Sequence, residues 1–176
     1  GEKESQLACL WYIGDACCTL KQHPQAIECY QAQLRIYREL GDRAKETSTL
    51  CKLGNTYKTL EQYELALDAY QQWLTIEEQQ SDQASQLGAL LGVSNTLKAL
   101  KQYPEAIECD RKRIEICQQF GEKEQEAHSR YSLGRIFYTL EDRDAAVKEL
   151  QIAFDLYDQL GQQKYRDGVL WYLNNS

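Results

Sequence analysis

Methionine is absent from the 176-residue chain, so the initiator is missing and the sequence reads as an excised or processed segment. Only two prolines occur, Pro24 and Pro104, and no Ser/Gly-rich linker interrupts the chain. Helix is therefore free to run nearly throughout. No apolar run nears the length that spans a bilayer, and no signal-peptide pattern opens the chain. A basic surplus is also missing. The net charge of −7 excludes nucleic acid and anionic membrane as expected partners, because both attract basic patches. His23 and His128 are the only histidines, and neither has a nucleophile in register. A Gly-rich phosphate loop, an H-E-x-x-H motif and a calcium loop are all lacking. The reading is no enzyme, no cofactor and no metal.

Seven cysteines stand against this scarcity: Cys9, Cys17, Cys18, Cys29, Cys51, Cys109 and Cys117. Their count is odd and no C-x-x-C pair occurs, so they are expected to be small buried hydrophobes in a reducing cytoplasm. Composition is globular, with 43% apolar and 27% charged residues, too hydrophobic for disorder.

What the chain has is repetition. The stretch Leu53–Tyr70, LGNTYKTLEQYELALDAY, places Leu53, Gly54, Tyr57 and Leu60 on one helical face. After a polar turn at Glu61, Gln62 and Tyr63, it does the same with Leu65, Ala66, Leu67, Tyr70 and Leu74. This is a helical hairpin, and small Gly54 and Ala66 let its helices cross closely. A lone hairpin cannot bury both apolar faces. Shifting the chain by 40 residues supplies its neighbours: Gly14, Gly54 and Gly134 coincide, as do Leu20, Leu60, Leu100 and Leu140, and Ala26, Ala66, Ala106 and Ala146. Gly1, Gly41, Gly121 and Gly161 share another phase, with Ser81 as the exception. A fixed period of this size signals stacked supersecondary units.

Counting phase 1 at Gly1, the repeats run 1–40, 41–80, 81–120 and 121–160. Residues 161–176 form a partial fifth repeat or a capping helix: Trp171-Tyr172-Leu173 matches Trp11-Tyr12-Ile13 before the chain stops at Ser176. In each repeat a first helix is expected over about phases 4–20 and a second over about phases 24–39. Pro24 and Pro104 suit the first turn of the second helix, and Glu64 and Asp144 suit its positive end. Gly41, Gly121 and Gly161 fit the left-handed residue that closes a helix. Repeat three departs most, with Ser94 at the glycine phase and Asp110 where the other repeats have Tyr30, Tyr70 and Leu150. Repeat four puts Arg130 where the others have Leu10, Leu50 and Leu90. The two departures are expected to compensate as a direct or relayed Asp110–Arg130 ion pair, or each to turn separately to solvent.

On Leu53, Gly54, Tyr57, Ala66 and Tyr70, each repeat resembles a tetratricopeptide repeat (TPR). The spacing resembles the 40-residue branch of Leu-Gly-Asn-type polarity adaptors and kinesin light chains. The resemblance covers the whole chain and implies a single domain, an all-α right-handed TPR solenoid of helix-turn-helix hairpins. It also implies protein recognition on a concave face lined by the first helices. At phases 8, 12, 15, 18 and 19 the candidate contacts are Tyr12, Lys52, Asn55, Lys58, Gly88, Gly92, Asn95, Lys98, His128, Arg135 and Tyr138. Four cations (Lys52, Lys58, Lys98, Arg135) face one anion, Asp15, a surplus of +3 in a chain of −7. Asn55 and Asn95 share a phase, as in a ladder that holds a peptide backbone. The expected partner is a protein presenting an extended, acidic or C-terminal segment. The alternative is a rigid spacer or self-association segment of a larger regulatory protein, which has no reason to separate charge. Gly88 and Gly92 mark either a hollow in the groove, rimmed by Lys98 and His128, or tight packing of their helix.

Overall fold

The computed structural model describes residues 1–80 and 82–175; the expectations at Ser81 and Ser176 lie outside them. Nine helices occur among the described residues: α1 (Glu2–Thr19), α2 (His23–Leu40), α3 (Arg43–Thr59), α4 (Tyr63–Gln80), α5 (Gln83–Ala99), α6 (Tyr103–Phe120), α7 (Lys123–Thr139), α8 (Arg143–Gln159) and α9 (Gln163–Asn174). The first helices begin a residue or two before the expected phase. In α3 and α5 the Asp42 and Asp82 carboxylates cap the start, accepting from the N–H of Lys45 and Ser85 at 3.1 Å. Pro24 lies in the first turn of α2 and Pro104 in that of α6, where the missing N–H costs nothing.

Two compact units form, Gly1–Leu100 and Lys101–Ser176. In the first, α1 to α5 pack in sequence and α3 also touches α5; in the second, α6 to α9 do the same and α7 touches α9. Fully buried alanines bring paired helices together: Ala26, Ala66, Ala106 and Ala146 each have 0% exposure.

Both turns of a repeat close alike. Gly41 has φ +68°, and behind it the N–H of Asp42 reaches back to the carbonyl of Tyr37 at 3.0 Å. After the first helix the same closure falls on residues with side chains: Lys21, Glu61, Lys101 and Glu141 lie at φ 58–60°. The N–H of Gln62 bonds to the carbonyl of Tyr57 at 2.9 Å behind Glu61. Composition did not reveal this, because Lys and Glu carry no turn signal. A Cβ in the left-handed region costs about 1–2 kcal/mol, partly offset by the greater freedom glycine brings to the unfolded chain. Glu61→Gly is therefore expected to stabilise by about 0.5–1 kcal/mol, measured as a rise in the urea midpoint. A fall in the midpoint would mean that the Glu61 side chain contributes more than the strain costs.

The cysteines are free, but only Cys117 is fully buried; Cys9 is exposed and the others are half-buried. The expectation of a uniformly buried set is thus corrected. Phase 9 packs against the preceding helix in α3, α5, α7 and α9, where Thr49, Ala89, Ser129 and Val169 are 0–3% exposed. On α1 the same phase is Cys9, which is exposed. Burial pushes the Cys109 and Cys117 thiols up to about 11. Alkylation of the native protein at about pH 8 is expected to modify Cys9 first and Cys117 only on unfolding, read by mass spectrometry.

Candidate functional site

One pairing organises each hairpin that has a phase-30 tyrosine. The Tyr30 hydroxyl donates to Asp15 Oδ1 at 3.0 Å, and the Tyr70 hydroxyl donates to Asn55 Oδ1 at 2.7 Å. Burial raises both phenols, Tyr70 to about 12, so each stays a neutral donor. The Asn55 oxygen is therefore engaged within its own hairpin, and its Nδ2 lies 3.5 Å from Cys51 Sγ.

In the first unit a cleft of about 350 Å³ opens between the α1–α2 hairpin and α3. Asp15, Cys18 and Thr19 line it from α1, Lys52, Asn55, Thr56 and Thr59 from α3, with Tyr30 behind. These are the phases expected to face a partner. Lys52 Nζ donates to Asp15 Oδ1 at 2.6 Å and sits 5.2 Å from the Trp11 ring centre and 5.5 Å from that of Tyr30. The carboxylate thus cancels the ammonium at the surface. Thr19, Thr56 and Thr59 donate to carbonyls one turn back in their own helices, at 2.8–2.9 Å. Lys58 is half-buried, Asn95 and Lys98 are half-buried on α5, and Tyr12 is 68% exposed beside Trp11.

Gly88 and Gly92 do not form a hollow. A Cβ on Gly92 would lie 2.6 Å from the Tyr70 ring, and one on Gly54 would meet the same ring at 2.6 Å from α3. On Gly88 it would meet Trp73 at 3.0 Å. Tyr70 and Trp73 of α4 fill the space these glycines leave, so the packing alternative holds. The Trp73 indole N–H also donates to Ser85 Oγ at 3.0 Å and Glu77 Oε1 at 3.1 Å.

In the second unit His128 packs edge-on against Tyr157 and Tyr165, at 5.5 and 4.9 Å between ring centres. Arg135 and Tyr138 lie on α7 toward α9, among Tyr131, Trp171 and Tyr172. The expected Asp110–Arg130 pair is replaced by two separate ones. Arg130 donates to Glu126 and Glu149 at 2.9 and 2.7 Å. Asp110, 0% exposed, faces Arg113 at 3.7 Å and accepts from Ser132 Oγ at 2.6 Å. Arg113 shares a helix with Asp110 one turn on, so it reaches the buried carboxylate first.

The tetratricopeptide repeat profile matches residues 6–79 and 85–159. The chain belongs to the tetratricopeptide repeat family. Solved TPR structures share the fold at low identity. RapI in its apo form has 17% identity and a TM-score of 0.88, over 96% of this chain and 47% of that one. The Pyrococcus horikoshii signal-transduction ATPase PH0952, with a tetratricopeptide repeat sensor, has 17% and 0.85, over 95% and 26%. A Podosopora anserina putative kinesin light chain has 18% and 0.75, over 89% and 76%. The chain thus spans less than half the length of the first two. No curated protein sequence matches it.

The all-α TPR solenoid class is accordingly the fold, in general a non-catalytic repeat scaffold. Among the described residues no helix is long and apolar enough to cross a membrane. What the sequence missed is the double duty of phase 12 in the TPR hairpins. Lys52, Gly92 and Tyr172 occupy it, and the first two abut the phase-30 tyrosine of the hairpin before. The signal was a large residue at phase 30 facing a small or flexible one 22 positions on.

Proposed function

We propose that this TPR protein is a cytoplasmic protein-recognition scaffold whose first-helix faces hold an extended acidic or C-terminal segment of a partner. The observation that carries the reading is the open cleft along Asp15, Cys18 and Thr19 and Lys52, Asn55 and Thr59, because residues of the expected phases converge there. The occurrence of such repeats as a sensor in the PH0952 structure supports the same use. Lys52 is paired to Asp15, and Lys58 and Lys98 are the other cations of the expected face in the first unit.

The test is capture of partners from a cytoplasmic extract by wild type and by a Lys58→Glu/Lys98→Glu variant, then calorimetry with the captured partner at low and high salt. Charged contacts weaken with ionic strength, since the Debye length is about 8–10 Å near physiological salt. Loss of capture by the variant and weaker binding in salt are the expected results. Equal capture by both proteins would instead favour the rigid-spacer reading.

A further inference from the structure

Phase 33 carries a buried donor in the first two hairpins, and only the second hairpin serves it. There the Trp73 indole N–H donates to Glu77 Oε1 at phase 37 and to Ser85 Oγ at phase 5 of the next helix. In the first hairpin the donor is Gln33, 1% exposed, and its Nε2 has no hydrogen-bond partner. Tyr37 and Lys45 hold the two accepting phases. An ammonium has no lone pair to offer, and the Tyr37 hydroxyl does not accept from Gln33. Buried donors left unpaired are rare in folded proteins, because they lose water without compensation.

A pocket of about 50 Å³ opens at this place. Trp11 of α1, Gln33 and Tyr37 of α2, and Lys45, Ser48 and Lys52 of α3 line it. Among the described residues no carboxylate lines it. Nearby, the Asp42 carboxylate caps α3, and that of Glu46 is held by Arg38 and Arg43. Lys52 is held by Asp15, whereas Lys45 has no ion pair among the described residues. Burial, and then the Asp42 charge, raise the Tyr37 phenol, so its hydroxyl stays protonated and able to donate.

We infer that this pocket binds one small inorganic oxyanion of the size and charge of phosphate, with Gln33 and Lys45 as its main ligands. The anion supplies the acceptor that Ser85 and Glu77 provide in the second hairpin. Hydrogen bonds to a charged acceptor are the stronger kind, and an ammonium, an amide and hydroxyls surround this one. Size sets the class of ligand, since the pocket has room for about four water molecules, or one tetrahedral ion with nothing attached. The site is separate from the face expected to meet a protein partner. Gln33 and Tyr37 belong to a second helix, and Lys45 stands at phase 5, outside the phases assigned to that face.

Sodium phosphate titrated into the ¹⁵N-labelled full chain tests the inference, against sodium chloride at matched ionic strength and pH. The readout is the Gln33 side-chain amide signals, assigned by their loss in Gln33→Leu. Phosphate is expected to shift them saturably and chloride to leave them in place. Lys45 is exposed, so Lys45→Gln should keep the wild-type circular dichroism while binding phosphate about tenfold more weakly, the loss of one hydrogen bond to a charged group. Gln33→Leu, followed at the Lys45 and Ser48 backbone amides, should show a similar loss. If that variant does not fold, Lys45→Gln and the two salts still decide the question. N-acetyl-O-phosphoserine amide is expected to bind at least about tenfold more weakly than free phosphate. Equal shifts with both salts would mean an adventitious ion only and overturn the inference. Undiminished phosphate binding by Lys45→Gln, or a phosphoserine amide that binds as tightly as the free ion, would overturn it too. Lys58 and Lys98 lie outside the pocket, so the recognition reading stands or falls on its own experiment.

Discussion

Replacing Arg113 by Met is expected to cost this protein about 3–5 kcal/mol, the largest effect of any single substitution considered. Asp110 and Arg113 are 0% and 2% exposed, yet they meet at 3.7 Å, too far for a hydrogen bond. Ser132 satisfies Asp110 Oδ2, while Asp110 Oδ1 and Arg113 Nε and Nη1 have no hydrogen-bond partner. Burial lowers the Arg113 pKa, and the nearby Asp110 charge opposes that shift. The two charges tolerate the interior only because each offsets the other's desolvation. Removing the guanidinium strands a carboxylate there, and Asp110→Asn should likewise strand the guanidinium. The double variant Asp110→Leu/Arg113→Met carries no buried charge, and Leu is the residue that repeat four already uses at this phase. It is expected to recover most of the loss and to end within about 1 kcal/mol of wild type. Urea unfolding of the four proteins closes the double-mutant cycle. Additive single and double losses would mean that the two charges do not act as a pair.

Gly92→Ala is expected to destabilise by about 1–3 kcal/mol and to lower the melting temperature by on the order of 5 °C. On helix propensity alone the sign would be opposite, since alanine is favoured over glycine in a helix by about 0.5–1 kcal/mol. The ring of Tyr70 decides the matter. It is flanked by Gly54 on α3 and Gly92 on α5, so it cannot recede from one without striking the other. Its hydroxyl is also fixed to Asn55 at 2.7 Å. Gly54→Ala should behave like Gly92→Ala. In a Tyr70→Leu background, which imitates Leu150 over Gly134, the alanine at either site should cost much less. Calorimetric melting of the single and double variants measures the coupling, and a stabilising Gly92→Ala would show the site to be open.

Most of the fold was legible because its signals are local. Glycine phases, prolines at a first helical turn and the 40-residue register of alanines each act within a few residues of where they stand. The helices therefore fall within a residue or two of their expected bounds. The candidate site was legible only in part. Asp15, Asn55 and Lys52 do converge on one cleft, as their shared face requires. Gly92 was misassigned because phases 12 and 15 lie one turn apart on a helix, and periodicity alone cannot separate a position facing solvent from one facing the neighbouring hairpin.

By itself the sequence determined the class: a repeat of buried alanine, glycine and tyrosine phases that no lone hairpin can satisfy, and hence stacked TPR hairpins. Which polar groups remain available to a partner was decided only by tertiary structure. Asp15 could equally have faced a ligand, yet Tyr30 and Lys52 engage it. Asp110 could have met Arg130, yet Arg113 and Ser132 reach it first. Arg135 lies over the rings of Tyr131 and Tyr172, since Leu150 offers its N–H groups no acceptor. Hydrogen bonds and ion pairs are short-ranged and directional, so their pairing depends on distances between helices many residues apart. Hydrophobic burial depends mainly on area, and its pattern can be read along the chain.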